Sequence, residues 1–360
     1  MAKERRAFSG YSSLKVSMVI VFSLAAFCLR EPGFIEGGQA EKLWPSEEVQ
    51  LYKKGIGPVE VKTLLADWLD ARRSRQIPVK IYYPTHSDTS VPLIILSHGL
   101  GGSREGYRYL GESWASHGYI SLHVQHPGSD ELVWKGQPQP LEAMRKAAAN
   151  PRNVINRAQD VSFVIDRMEE LNSKEGELKG LVDLRRIGIA GHSFGANTAL
   201  VAAGQVFILP GGLEVGFSDP RIKACLAMSA PVPKDKSRRE RVFGSIAVPC
   251  FHMTGTLDDS PIGDTSAAER RLPFDYISKA DQYLVIFDGG DHMIFSGRPL
   301  GAAFGRSNKD ALFQKIILQA SLAFWDAYLK EDGAARKWMV EGGFQSLLGP
   351  VGSFEKKLKS

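Results

Sequence analysis

The hydrophobic and polar positions of the chain follow two periods, which predict strands and helices in turn. Apolar and polar residues alternate over 59–62 and 77–83 on either side of a charged turn, as expected of a β-hairpin at the edge of a sheet. Residues 91–97 are almost uniformly apolar, which is typical of a central strand covered on both faces. Helical spacing over 104–118 and a new strand pattern over 119–124 then predict a parallel crossover.

The second half of the chain continues to alternate strands and helices. Amphipathic helices are predicted at 151–172 and 309–329, and apolar strands at 222–228, 246–253 and 282–287. This order predicts an α/β protein with a mostly parallel central sheet, helices on both faces and an N-terminal antiparallel edge hairpin.

Two segments do not fit this regular alternation. The segment 131–150 is irregular and then helical, and two interpretations stay open: a cap over a pocket at the strand ends, or a surface loop and helix packed elsewhere. Residues 333–360 are predicted to be a basic, frayed C-terminal tail.

The N-terminal region has a different composition from the rest. Four basic residues precede an apolar segment at 16–29, which has the length of a signal peptide and is short for a membrane span. We expect a signal peptide or N-terminal membrane anchor at 1–40, a linker at 41–56 and one large domain at 57–332. The expected location is therefore periplasmic or secreted, with membrane association through residues 16–29 if the segment is not cleaved.

Composition and charge limit the class of partner. With 43% hydrophobic residues among 360, the chain can bury a large core. The formal net charge of +5 is mild, and the basic run at 234–241 has no interleaved aromatic residues. This run is typical of a solvated loop, so no nucleic-acid partner is predicted.

The cysteines and histidines favour a protein without a metal. Cys225 and Cys250 lie in apolar runs that read as neighbouring strands, which favours free buried thiols over a bridge. His123 and His126 are three residues apart, a spacing that would point their side chains to opposite faces of a strand, and His126 is expected in the loop after the strand at 119–124. Without a nearby carboxylate cluster, no metal site is predicted.

The chemistry of the chain centres on Gly191-His192-Ser193-Phe194-Gly195, between an apolar run and a series of small helix formers. A Gly-x-Ser-x-Gly sequence between a strand and a helix predicts a sharp turn that exposes the serine hydroxyl. Ser193 is therefore the predicted nucleophile. The backbone N–H of Phe194, at the start of the helix, is predicted to bind an oxyanion.

A second oxyanion donor is predicted in the glycine-rich loop that follows the strand at 91–97. This loop turns the backbone sharply after His98-Gly99, and we assign the donor to the N–H of Leu100. A phosphate-binding loop is the competing interpretation, but the loop has neither the P-loop lysine nor the Gly-x-Gly-x-x-Gly spacing. The His98 ring is predicted to support the loop.

Two further side chains complete a predicted catalytic triad. Asp258 follows the predicted strand at 246–253 in a glycine-bearing turn, with Asp259 as the second candidate for the acid. His292 lies on a glycine-rich loop after the last strand and is the predicted general base. Nucleophile, acid and histidine occur in the chain order of α/β-hydrolases, each just after a strand.

These motifs resemble the dienelactone-hydrolase-like and platelet-activating-factor-acetylhydrolase-like branch of the α/β-hydrolases over residues 57–329. The resemblance is carried by residues 97–102, 191–195, 255–259 and 290–292. It implies ester chemistry, with polyester hydrolases and short-acyl acetylhydrolases as neighbours. True dienelactone hydrolases carry a cysteine at the position of Ser193, so the chain is expected to be a serine carboxylesterase.

The sequence thus predicts a serine ester hydrolase that works through an acyl-enzyme without metal or cofactor. The expected substrate is a small-molecule or lipid-like ester with a short acyl group. A peptidase or acyltransferase with the same triad stays open, as does an inactive binding protein with a hydrolase fold. The sequence does not determine the oligomeric state.

Overall fold

The computed structural model describes residues 51–53, 56–233, 235–297 and 309–359. The signal peptide or anchor predicted at 1–40 and most of the linker predicted at 41–56 lie outside these residues. In the described part of the chain, no helix has the length and apolar character that a membrane crossing requires.

A nine-stranded sheet forms the centre of the described structure. Counting a separate two-stranded hairpin, the strands of the described residues are β1 (Val61–Asp70), β2 (Arg75–Pro84), β3 (Val91–Ser97), β4 (Ile120–Val124), β5 (Val182–His192), β6 (Val206–Ile208), β7 (Glu214–Gly216), β8 (Ile222–Met228), β9 (Cys250–Leu257), β10 (Gln282–Asp291) and β11 (Gly352–Lys357). The sheet order is β1-β2-β4-β3-β5-β8-β9-β10-β11, and β6 and β7 form a separate hairpin. The five pairings from β4 to β10 are parallel, which confirms the predicted mostly parallel sheet.

Helices cover both faces of this sheet. They are α1 (Arg108–Ser116), α2 (Pro140–Ala149), α3 (Pro151–Ser173), α4 (Phe194–Ala203), α5 (Arg239–Phe243), α6 (Leu272–Tyr276), α7 (Asp310–Leu329), α8 (Gly333–Val340) and α9 (Gly343–Leu348). Alternate residues of β3 enter different cores, because side chains along a strand point to opposite faces. Leu93 shares a core with residues of α3 and α4, and Ile94 shares the other core with residues of α1 and α7. The fold class predicted from the sequence is therefore confirmed.

The edge hairpin is present, with one difference in position. β1 and β2 pair antiparallel, as predicted. β2 also pairs antiparallel with β4, through Val79 and Val124, so of the two hairpin strands only β1 is an edge strand. Ile77, Val79, Ile81 and Tyr83 of β2 are buried because they point into the core on one face of the sheet.

The prediction of a frayed tail at 333–360 is wrong. Residues of this segment form α8, α9 and β11, and β11 pairs antiparallel with β10 to make the other edge of the sheet. Phe344, Leu347 and Leu348 are buried in the same core as α7. The segment contains more apolar than basic residues, and its apolar side chains order it because they pack against α7 and β10.

The two cysteines on the central strands are buried and free, as expected. Cys225 of β8 and Cys250 of β9 are partners in the register of the two strands.

Candidate active site

The turn between β5 and α4 has the geometry that the Gly-x-Ser-x-Gly sequence predicts. Ser193 connects strand to helix with φ 55° and ψ −118°, a strained conformation for a residue other than glycine. A Cβ atom on Gly191 would lie 2.0 Å from the carbonyl oxygen of Gly195. A Cβ atom on Gly195 would lie 1.9 Å from the carbonyl oxygen of Ser97 on β3. Both glycines are thus required by close backbone approach, and the turn exposes Ser193.

Three of the predicted residues are brought together at the carboxyl ends of the parallel strands. His292 Nε2 lies 3.0 Å from Ser193 Oγ, and His292 Nδ1 lies 2.7 Å from Asp258 Oδ1. Ser193 follows β5, Asp258 follows β9 and His292 follows β10, so the parallel sheet aligns the three loops at one edge. The Asp258 carboxylate only accepts, so Nδ1 of the neutral ring carries the proton. Nε2 is then free to accept the hydrogen of the Ser193 hydroxyl.

The two adjacent aspartates have different surroundings. Asp258 is fully buried and accepts hydrogen bonds from His292 and, at 2.8 Å, from Thr254 Oγ1. Asp259 instead accepts the backbone N–H of Ala267 at 2.9 Å and lines the cavity described below. Of the two aspartates, Asp258 is thus the one whose carboxylate contacts the His292 ring.

Sequence reasoning missed two side chains that hold this carboxylate. The Ser229 hydroxyl, just after β8, donates to Asp258 Oδ2 and lies 3.1 Å from His292 Nδ1. The Arg270 guanidinium forms an ion pair with Asp258, with 3.0 Å between Nε and Oδ1. Neither residue belongs to a recognisable motif, and the sequence carried no signal for them.

Both predicted oxyanion donors border the same cavity as Ser193. Phe194 is the first residue of α4, so its N–H has no acceptor inside the helix. In the other loop, Gly101 N donates to Ser129 O at 2.9 Å and Gly102 N donates to Gly99 O at 3.0 Å. These bonds fix the backbone on the C-terminal side of Leu100.

A buried chain of hydrogen bonds links this loop to the triad. Gly99 N donates to the Tyr107 hydroxyl at 3.2 Å, and that hydroxyl lies 2.8 Å from His192 Nδ1. His192 Nε2 lies 2.8 Å from the carbonyl oxygen of His292, which can only accept. His192 therefore donates from Nε2, and Tyr107 donates to Nδ1. Burial, with a smaller effect of His292, holds the pKa of His192 well below its usual range, so the ring stays neutral.

A buried arginine contacts the glycine-rich loop 98–102, called the oxyanion loop here after its predicted donor Leu100. Arg157 of α3 donates to the carbonyl oxygen of His98 at 2.8 Å, and its guanidinium lies 4.5 Å from the centre of the Phe194 ring. Burial lowers the pKa of Arg157 to about 9, which leaves it charged at neutral pH. The His98 ring accepts the backbone N–H of His126 at 3.1 Å and lies 2.6 Å from Gly99 O through Nδ1. His98 thus has the supporting role predicted for it.

The histidine pair considered for metal binding is engaged in other contacts. His123 Nδ1 lies 3.0 Å from Gly106 O, and His126 Nδ1 lies 2.9 Å from Asp160 Oδ2. Burial lowers the pKa of His123 to about 3 and that of His126 to about 4. Among the described residues, no group of three or more histidine, cysteine or acidic side chains is arranged to hold a metal ion.

A cavity of about 1300 Å³ opens over Ser193. Most of its wall is apolar. The segment 131–150 contributes Trp134, Leu141, Met144 and Ala148, and the β6–β7 hairpin contributes Phe207, Ile208 and Leu209. Trp134 Nε1 also donates to Gly101 O at 2.8 Å, which ties this segment to the oxyanion loop.

Comparison with known proteins agrees with this geometry. The family model for platelet-activating factor acetylhydrolase, isoform II, matches residues 39–134. Platelet-activating factor acetylhydrolase from Cavia porcellus is 25% identical over 313 residues, covering 76% of this chain and 66% of the relative. The enzyme from Canis lupus familiaris is 26% identical, covering 74% of this chain and 64% of the relative. The chain thus spans slightly less than two thirds of the length of these two relatives.

A second group of similar proteins comes from bacteria. Cutinase 1 of Thermobifida cellulosilytica is 27% identical over 272 residues, covering 75% of this chain and 80% of the relative. The chain therefore has the α/β-hydrolase fold, with Ser193, His292 and Asp258 together on a mostly parallel sheet, and it is similar in sequence to the platelet-activating factor acetylhydrolases.

Proposed function

We propose that the protein is a serine carboxylic-ester hydrolase that acts through an acyl-enzyme. The observation that carries this proposal is the unbroken series of hydrogen bonds from Ser193 through His292 to Asp258. The names of the similar proteins, acetylhydrolase and cutinase, support an ester as substrate.

In this mechanism Ser193 Oγ attacks the ester carbonyl carbon while His292 Nε2 takes the serine proton. Asp258 stabilises the imidazolium that forms. The backbone N–H groups of Leu100 and Phe194 bind the oxyanion, and one such donor contributes about 3 kcal/mol to transition-state stabilisation. The alcohol leaves with the proton of His292, and a water molecule then repeats the sequence on the acyl-enzyme.

The cavity supports an ester with a bulky apolar part. Its volume of about 1300 Å³ exceeds the range of about 300–1,000 Å³ of ordinary small-molecule sites. Leu141, Leu209 and Leu257 belong to its wall and are also exposed to solvent. We infer that a short acyl group is joined to a large, lipid-like alcohol. We further propose export, on the basis of the apolar segment 16–29.

A chain-length series of p-nitrophenyl esters tests the proposed function, with Ser193→Ala as the matched control. We expect turnover that peaks at acetate or butyrate and falls by at least about 10⁴-fold in Ser193→Ala, because removal of the nucleophile leaves only oxyanion binding. Activity that persists in the variant would contradict the assignment of Ser193.

The same assays separate the related reactions of this triad. Cleavage of amides at a rate comparable with esters would indicate a peptidase, and transfer of the acyl group to an added alcohol would indicate an acyltransferase. If the folded protein cleaves no ester and an active-site phosphonate fails to label Ser193, the protein is a binding protein instead.

A further inference from the structure

We propose that Arg270 is a positioning residue of the triad that holds Asp258 in place and extends the active pH range to more acidic values. The inference rests on the proposed function, because it assigns His292 the role of general base.

Arg270 joins the two loops that follow β8 and β9. It lies in the short 3₁₀ turn Ala267–Arg271 and is 3% exposed. Besides its ion pair with Asp258, its Nε donates to the backbone oxygen of Asp258 at 2.6 Å. Its Nη1 donates to the backbone oxygen of Ser229 at 2.5 Å. One guanidinium thus bonds to two loops: the loop of Ser229, whose hydroxyl donates to Asp258, and the loop of Asp258 itself.

Two contacts of Glu269 constrain the turn that carries Arg270. Ser266 and Glu269 form a reciprocal capping box at its start. Glu269 also pairs with Arg239 of α5, with 3.1 Å between the nitrogen and oxygen atoms. Arg270 is therefore a fixed charge, since its stem and its neighbours are both constrained.

This charge lies directly beside the general base. Arg270 Nη2 is 3.3 Å from His292 Nδ1. Nδ1 already donates to Asp258 Oδ1 at 2.7 Å, so Nη2 and Nδ1 are two donors that face each other. They come this close because both the ring and the guanidinium contact the same carboxylate oxygen. When His292 takes the serine proton, a second positive charge appears next to the first.

The charge balance of the buried site follows from these contacts. Asp258 and Arg270 together carry no net charge, so a protonated His292 leaves the site with one excess positive charge. Without Arg270, the Asp258 carboxylate would be left to stabilise the imidazolium alone. Because a nearby like charge disfavours the charged form of a group, Arg270 opposes protonation of His292.

The other groups around His292 do not supply this effect. Ser229 and Ser193 are uncharged, and the neutral His192 ring packs at 4.8 Å between ring centres. The Asp291 carboxylate, next in the chain, accepts the backbone N–H of Met293 at 2.8 Å. Asp259 lies near Arg270 and bonds to the turn rather than to the ring. Arg270 is thus the cation in contact with the His292 ring within the described residues.

The pH dependence of kcat/KM on a short-acyl ester tests the proposal. We expect Arg270→Met to move the acidic limb of the profile to higher pH by about one unit. Arg270→Lys, which keeps the charge, should leave the acidic limb close to its wild-type position. Arg271→Met is the matched control, because the neighbouring arginine pairs with Asp275 and Glu355 at the surface and should leave the profile unchanged.

A titration by NMR separates this inference from the proposed function. The His292 ring resonances, assigned by their absence in H292Q, report protonation in wild type and in R270M whether or not the protein turns over an ester. A shifted midpoint in R270M without esterase activity in the wild type would support the inference and contradict the proposed function. An unchanged midpoint and an unchanged acidic limb in a folded R270M protein would overturn the inference, as would a rate loss equal at every pH. If R270M does not fold, R270Q serves in the same measurements.

Discussion

At the scale of the residue, two neighbouring carboxylates differ only in what they touch. Asp258 accepts a hydrogen bond from the His292 ring, and Asp259 accepts one from the backbone N–H of Ala267. We expect Asp258→Asn to lower kcat by about 10⁴-fold, because an amide in this place favours the wrong tautomer of the histidine. Asp259→Asn should change kcat by less than about tenfold, since the mechanism gives it no role in the transition state. Steady-state kinetics on the same ester compares the two variants. A larger loss in Asp259→Asn than in Asp258→Asn would make Asp259 the acid of the triad.

At the scale of the element, the strand-to-helix turn depends on Gly191 and Gly195, because a residue with a Cβ atom does not fit at either position. Gly195→Ala would place a Cβ atom 1.9 Å from Ser97 O, so the turn must open. We expect loss of ester hydrolysis and destabilisation of about 1–3 kcal/mol or more, the range for stored backbone strain. Urea unfolding and activity measure both effects.

The control for this prediction lies on another helix. Gly333→Ala, where an added Cβ atom meets nothing within 4 Å, should leave stability and activity close to wild type. A fully active Gly195→Ala protein would show that the close approach of the turn to β3 is not needed.

At the scale of the whole molecule, the C-terminal segment completes the sheet and one of its two cores. Removal of 333–360 takes away β11 and, among its buried residues, five apolar side chains larger than alanine: Met339, Phe344, Leu347, Leu348 and Val351. Burial of each is worth about 1.5–3 kcal/mol, a sum comparable with the total stability of a domain of about 5–15 kcal/mol. We expect the truncated chain to lose cooperative thermal unfolding, measured by circular dichroism. A chain that lacks only 359–360 is the control. Cooperative unfolding of the chain that lacks 333–360 would contradict the conclusion that this segment stabilises the core.

Most of the architecture could be predicted from the sequence because the signals are local. A uniformly apolar run predicts β3, and helical periodicity predicts α3 and α7 to within one residue at each end. The observed boundaries differ from the predicted ones where a turn precedes the element. The strand expected at 246–253 begins at Cys250, since Pro249 has no N–H to donate to a sheet.

The fold class and the strand-to-helix turn could be predicted from the sequence, and so could the positions of Ser193, Asp258 and His292 just after strands, because each follows a short local pattern. The groups that surround these three side chains depend on tertiary contacts. Ser229 and Arg270 reach Asp258 from separate loops, and the last strand pairs with β10 and packs against Phe344 of α9. These contacts join residues far apart in the chain, so no local pattern predicts them.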